Sequence, residues 1–235
     1  MFSTQTYIQR RNILCSLLDE GLVLLMGNNE SPMNYADNTY PFRQDSSFLY
    51  YIGLDQAGLM ALIDINEGQT ILFGKDASID DIVWMGPQEN LAVKALKSGI
   101  RQNRDIRQLP EVLKKAKSQG RSIHFLPPYR PDNKIWLSKT LELPIEKLAE
   151  RASLSLIKAV VQQREIKSEE EIEEIEKAVD TSVDMHVAAM KTARPGMSEA
   201  EVAAEVHRIA LARGGNLSFP IIATINGQTL HNHYH

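Results

Sequence analysis

The spacing of apolar residues changes near residue 152, and that change constrains the fold more than any other feature of the chain. Before it, short apolar runs of strand length alternate with helical patterns, which predicts a mixed α/β layer structure. After it, almost every apolar residue falls at helical spacing. A chain of 235 residues is long enough for one large domain or two small ones, and the break suggests two.

In the first stretch, Tyr7, Ile8, Ile13, Leu14, Leu17 and Leu18 share a helical face. Leu22–Met26 is an uninterrupted apolar run stopped by Gly27, the pattern of a strand buried on both sides. Residues 59–65 and 70–73 flank Asn66-Glu67-Gly68-Gln69, a hairpin signal. Ile82-Val83-Trp84-Met85 reads as a further strand stopped by Gly86-Pro87. Residues 91–96, 109–116 and 133–140 read as helices, and 122–126 as a strand halted by Pro127-Pro128.

Residues 154–162 form an amphipathic helix, followed by the charged joint Arg164-Glu165-Ile166-Lys167. Ser168 with Glu171 three residues later is a capping box. The hydroxyl takes a free backbone N–H, and Glu169, Glu170 and Glu171 suit the positive end of the helix dipole. Ile172, Ile175, Val179, Ser182, Val183, His186 and Met190 then line one face. Ser198 and Glu201 box a second helix, which Gly214-Gly215 stop; Met197 is placed to staple onto Val202. Residues 219–225 read as a strand, leading into Leu230-His231-Asn232-His233-Tyr234-His235. A strand and a polar turn with nothing left to pair with them suggest that the chain stops partway through its second domain.

Composition narrows the function. Twenty-six basic against thirty acidic residues leave a net charge of −4, which argues against a dedicated nucleic-acid binder. No run approaches the ~18 apolar residues of a membrane span, and the first residues lack the pattern of a signal peptide. Cys15 is the only cysteine, so no internal disulfide forms and a reducing, cytoplasmic setting fits. Its apolar surroundings favour a buried structural thiol.

Three segments could carry chemistry. His231, His233 and His235 alternate, so a strand would place them on one face, where imidazoles can bind zinc; a turn that is simply polar is the plainer reading. The aromatic-rich segment 40–53 is either a substrate-proximal rim or a loop anchored by Phe42 and an Arg43–Asp45 ion pair. Trp84, beside Gly86 and Pro87, is either core or interface. The acidic run 169–176 reads as a solvated helix face. His124, His186 and His207 read as packed or solvated histidines.

Together, Tyr40-Pro41-Phe42-Arg43-Gln44-Asp45-Ser46-Ser47-Phe48-Leu49-Tyr50-Tyr51-Ile52-Gly53, Asp81-Ile82-Val83-Trp84-Met85-Gly86 and Arg164-Glu165-Ile166-Lys167-Ser168-Glu169-Glu170-Glu171-Ile172 resemble the aminopeptidase P branch of the creatinase/prolidase metallopeptidases. Arg194-Pro195-Gly196-Met197 and Ser218-Phe219-Pro220 continue the match in order. The resemblance implies a creatinase/prolidase N-terminal domain over 1–155, with a mixed, mostly six-stranded sheet flanked by helices. It implies a joint over 156–167 and the truncated beginning of a pita-bread α+β catalytic domain over 168–235. The implied activity is removal of an N-terminal residue that precedes proline from peptides, using two divalent ions, commonly manganese, held by two Asp, one His and two Glu.

All of those ligands would lie downstream of the histidine loop, so no metal ligand is expected in this chain, which should be inactive alone. By the same resemblance His233 is the catalytic histidine, with His231 as the competing register. Trp84, His231 and Tyr234 are implied substrate contacts. Trp84 would reach a neighbouring subunit's site in a homo-oligomer, a dimer or tetramer. The other readings are a prolidase- or creatinase-like C–N hydrolase and a metal-free pita-bread binding module.

Overall fold

The apolar run at 22–26 becomes an interior strand because helices cover both faces of its sheet. The computed structural model describes residues 1–225 and 227, together with the backbone of residues 233 and 234. The chain divides into two units, Met1–Ile166 and Lys167–His235.

In the first unit, helix α1 (Thr4–Ser16) leads to strand β1 (Leu22–Met26), α2 (Ser46–Ile52), and the hairpin β2 (Met60–Asp64) and β3 (Gln69–Gly74). Then come α3 (Ile79–Met85), α4 (Leu91–Lys97), β4 (Gln102–Asp105), α5 (Leu109–Ser118), β5 (Ile123–Phe125), α6 (Pro131–Leu141), α7 (Leu148–Arg151) and α8 (Leu154–Glu165). The sheet runs β4-β3-β2-β1-β5. β2 is antiparallel to β1 and β3, with Leu62 opposite Leu24 and Ile71. β5 and β4 lie parallel to β1 and β3. The sheet is therefore mixed, as the resemblance implies, with five strands among the described residues rather than six.

The strand pleat sorts side chains by parity. Val23 and Leu25 enter one core with Leu14, Phe48, Tyr51, Ile63, Leu91 and Leu156. Leu22, Leu24 and Met26 enter the other with Leu62, Phe73, Leu113, Phe125 and Leu137. Both faces are dry, which is why this strand shows no polar alternation.

Three expectations change. Residues 82–85 are not a strand but part of α3. Ser78 accepts from the Asp81 N–H while the Asp81 carboxylate accepts from the Ser78 N–H, a capping box that overrides the β preference of Ile82 and Val83. The strand expected over 219–225 contracts to β6 (Ile221–Ile222). β4 has no counterpart in the sequence reading, since Gln102-Asn103-Arg104-Asp105 is polar and mostly exposed at the sheet edge.

In the second unit, α9 (Glu169–Thr192) and α10 (Glu199–Ala212) pack together. Both expected capping boxes form, Ser168 with Glu171 and Ser198 with Glu201. The two-residue strand β6 pairs antiparallel with β7 (His233–Tyr234).

Candidate functional site

His233 and Tyr234 form a minimal ladder with β6. In β7, His233 sits opposite Ile222 and Tyr234 opposite Ile221. The β-branched isoleucines favour this extended backbone. His231 and His235 lie outside the described residues. Beside the ladder's first strand, α9, α10 and residues 215–222 enclose a mainly apolar cleft of about 570 Å³. Thr181, Ser182, His186, Arg213, Asn216 and Ser218 provide its polar lining. Arg213 is paired with Asp184, so its charge is already partnered.

Trp84 lies in the first unit, on α3. The Ser78 N–H and hydroxyl hold the Asp81 carboxyl below its usual range, since both bonds favour the carboxylate. Gly86 ends the helix at φ +77, a conformation that needs no Cβ. No residue of α3 is buried, and Trp84 is 86% exposed. The helix thus presents Ile79, Val83, Trp84 and Met85 to the surface. Of the alternatives in the sequence, core packing of Trp84 is excluded.

In segment 40–53 the buried residues hold the local backbone together. Gln44 is 2% exposed and uses both ends of its amide. Its Oε1 accepts from the N–H groups of Asn28 (2.7 Å) and Asp45 (2.9 Å). Its Nε2 donates to the carbonyls of Gln56 (2.7 Å) and Leu54 (3.4 Å). Asp45 caps α2 by accepting from the Ser47 and Phe48 N–H groups. No Arg43–Asp45 ion pair forms among the described residues; the Arg43 carbonyl accepts from Asn28 Nδ2 instead. Gly53 closes α2 at φ +74, where a Cβ would fall 2.1 Å from the Tyr7 ring. Nothing in the types Gln44 and Gly53 announces these roles in sequence, because each depends on how the backbone folds around it.

The remaining candidates are quiet. His124 bonds Ser153 Oγ at 2.8 Å and the Glu20 carbonyl at 2.9 Å, a satisfied histidine. Cys15 is half-buried, and burial pushes its thiol up, away from the reactive thiolate. Buried Arg11 donates to the Tyr51 carbonyl and to Ser98, and burial lowers its guanidinium to about 10. Among the described residues no three His, Cys, Asp or Glu side chains converge to hold a metal. No helix of the described residues is long and apolar enough to cross a membrane.

Comparison with known proteins agrees with this layout. The family model "Aminopeptidase P, N-terminal domain" matches residues 7–125, and "Metallopeptidase family M24" matches residues 173–235. A protein described as a probable Xaa-Pro aminopeptidase of Blastomyces gilchristii is 27% identical over 219 residues, covering 91% of this chain and 41% of the relative. One of Coccidioides posadasii is 25% identical over 218 residues, covering 90% and 45%. The solved low-pH form of Escherichia coli aminopeptidase P superposes with a TM-score of 0.74 at 22% identity, over 94% of this chain and 51% of that one. The same enzyme with the inhibitor Pro-Leu gives 0.74 over 93% and 51%. The chain thus spans between two fifths and half the length of these relatives.

Proposed function

The chain belongs to the aminopeptidase P family, and from that premise we propose that it is the amino-terminal portion of a metal-dependent Xaa-Pro aminopeptidase. The observation that carries this reading is the order of the two family matches, 7–125 in the first unit and 173–235 in the second. The reaction is release of the N-terminal residue before proline. Proline calls for a dedicated enzyme because its tertiary amide has no N–H to donate and its φ is locked.

In this reading the 235 residues supply surroundings for the reaction rather than the metal centre. Two divalent ions, manganese in the first instance, would polarise the scissile carbonyl from ligands outside this chain. His233, presented on β7, contacts the substrate through its imidazole, with Tyr234 beside it and His231 as the competing register. Trp84, on its exposed helix, serves a neighbouring copy in a dimer or tetramer. The chain alone is inactive and binds no metal pair. Its two domains follow the two units, so that α8 belongs to the first and the residues expected as a joint over 156–167 lie mostly within it. Its single cysteine favours the cytoplasm.

Reading the coding region past the codon for His235 tests the proposal directly. An open frame carrying two Asp, one His and two Glu in that order is expected, and an immediate stop codon overturns it. The protein from that frame should cleave Xaa-Pro peptides longer than dipeptides with manganese. A preference for dipeptides alone would indicate a prolidase instead. In that protein His233→Ala should lower kcat by about 10²–10⁴-fold, the size of a lost general acid or base or oxyanion donor. A larger loss from His231→Ala would reverse the register. Calorimetric titration of the 235-residue chain with manganese should show no submicromolar site.

A further inference from the structure

The aromatic pair of segment 40–53 has a use that neither the core nor the proposed chemistry requires. Tyr51 is fully buried, yet its hydroxyl donates to Gln163 Oε1 at 2.7 Å. The neighbouring Tyr50 hydroxyl donates to the Gln163 carbonyl at 3.2 Å. Gln163 Nε2 in turn donates to the Arg10 carbonyl on α1, at 3.1 Å. One glutamine in the last turn of α8 is therefore bonded through main chain and side chain to two other helices.

The charges next to it repeat the arrangement. The Arg10 guanidinium lies 4.0 Å from the Tyr50 ring centroid and donates to the Tyr50 carbonyl. The Arg164 guanidinium lies 5.7 Å from the same ring and donates to Ser47 Oγ at 3.2 Å. A cation near an aromatic ring is attracted by its quadrupole, more strongly when half-buried as here. Two residues beyond Arg164, Ile166 is 77% exposed.

We propose that Tyr50 and Tyr51 are the socket of a latch that grips Gln163 and Arg164, holding the last turn of α8 against α1 and α2. The segment that carries the family signature then acts as a positioning device for the end of α8 within the first unit. The inference stands on the first unit alone and does not depend on the peptidase reading.

Hydrogen–deuterium exchange on the full chain tests it. Amides of residues 160–165 should be protected in the wild type, although helix ends ordinarily fray. Gln163→Ala and Tyr51→Phe should each speed their exchange by about tenfold or more, with β1 unchanged. Gln163→Ala removes the bond to Arg10 as well as the one to Tyr51, so it should have the larger effect, and the double variant should match Gln163→Ala alone. Tyr51→Phe keeps the ring in the core, so it decides the matter if Gln163→Ala loosens the whole unit. Fast exchange of 160–165 in the wild type, or no change in Tyr51→Phe, overturns the latch.

Discussion

The two units form their helices for different reasons. In the first, helices exist against a sheet. α1, α2, α4 and α8 contribute Leu14, Phe48, Leu91 and Leu156 to one core, while α5 and α6 contribute Leu113 and Leu137 to the other. In the second, α9 runs for 24 residues with none of them buried. Its apolar face, Ile172, Ile175, Val179, Val183 and Met190, is exposed. Besides its packing against α10, that helix draws on local terms: the Ser168 box, three glutamates at the positive end of the dipole, and the Glu174–Lys177 pair. Burial and capping can specify the same secondary structure, but burial contributes several times more energy per residue.

Core truncation should separate the units most clearly. Phe48→Ala, in a fully buried site, is expected to cost about 3–5 kcal/mol. Ile175→Ala, 47% exposed, should cost less than about 1 kcal/mol. Urea titration of both variants measures the contrast, and equal losses would erase it. Gly53→Ala comes next. At φ +74, with the Tyr7 ring in the way, it should cost about 2–3 kcal/mol even though it adds only a methyl group.

Capping tests the second unit on its own terms. Ser168→Ala should remove about 1 kcal/mol and fray the first turn of α9, seen as faster amide exchange over 169–172. The smallest effect is an acid one. Arg121, hydrogen-bonded to both Asp64 oxygens, holds that carboxyl below its usual range. A depressed carboxylate contributes stability above its unfolded pKa of ~3.9 and loses it as pH falls through the folded value. Asp64→Asn should therefore cost about 0.5–1 kcal/mol near neutral pH and nothing once both forms are protonated, as paired urea midpoints would show.

Much of this was legible without coordinates. The two boxes at Ser168 and Ser198 are written in four-residue windows. The doubly buried β1 is written in its unbroken apolar run. α3 misled because its strand-like Ile82-Val83 spoke louder than Ser78 and Asp81, the same kind of box with aspartate in place of glutamate. β4 was silent because an exposed edge strand needs no apolar alternation. At the candidate site, the exposure of Trp84 required the structure.

By itself the sequence determined the boxed helix starts at Ser168 and Ser198, the interior strand and the family. Each of these rests on patterns read within a few neighbouring residues or on motifs in fixed order. Only the tertiary structure decided that Gln44 ties four backbone groups together, that Gly53 makes room for Tyr7, and that Tyr50 and Tyr51 hold the end of α8. Those roles belong to pairs of residues up to 113 positions apart. A side chain's hydrogen-bond partner is set by where the fold brings the backbone, not by the residue's own type.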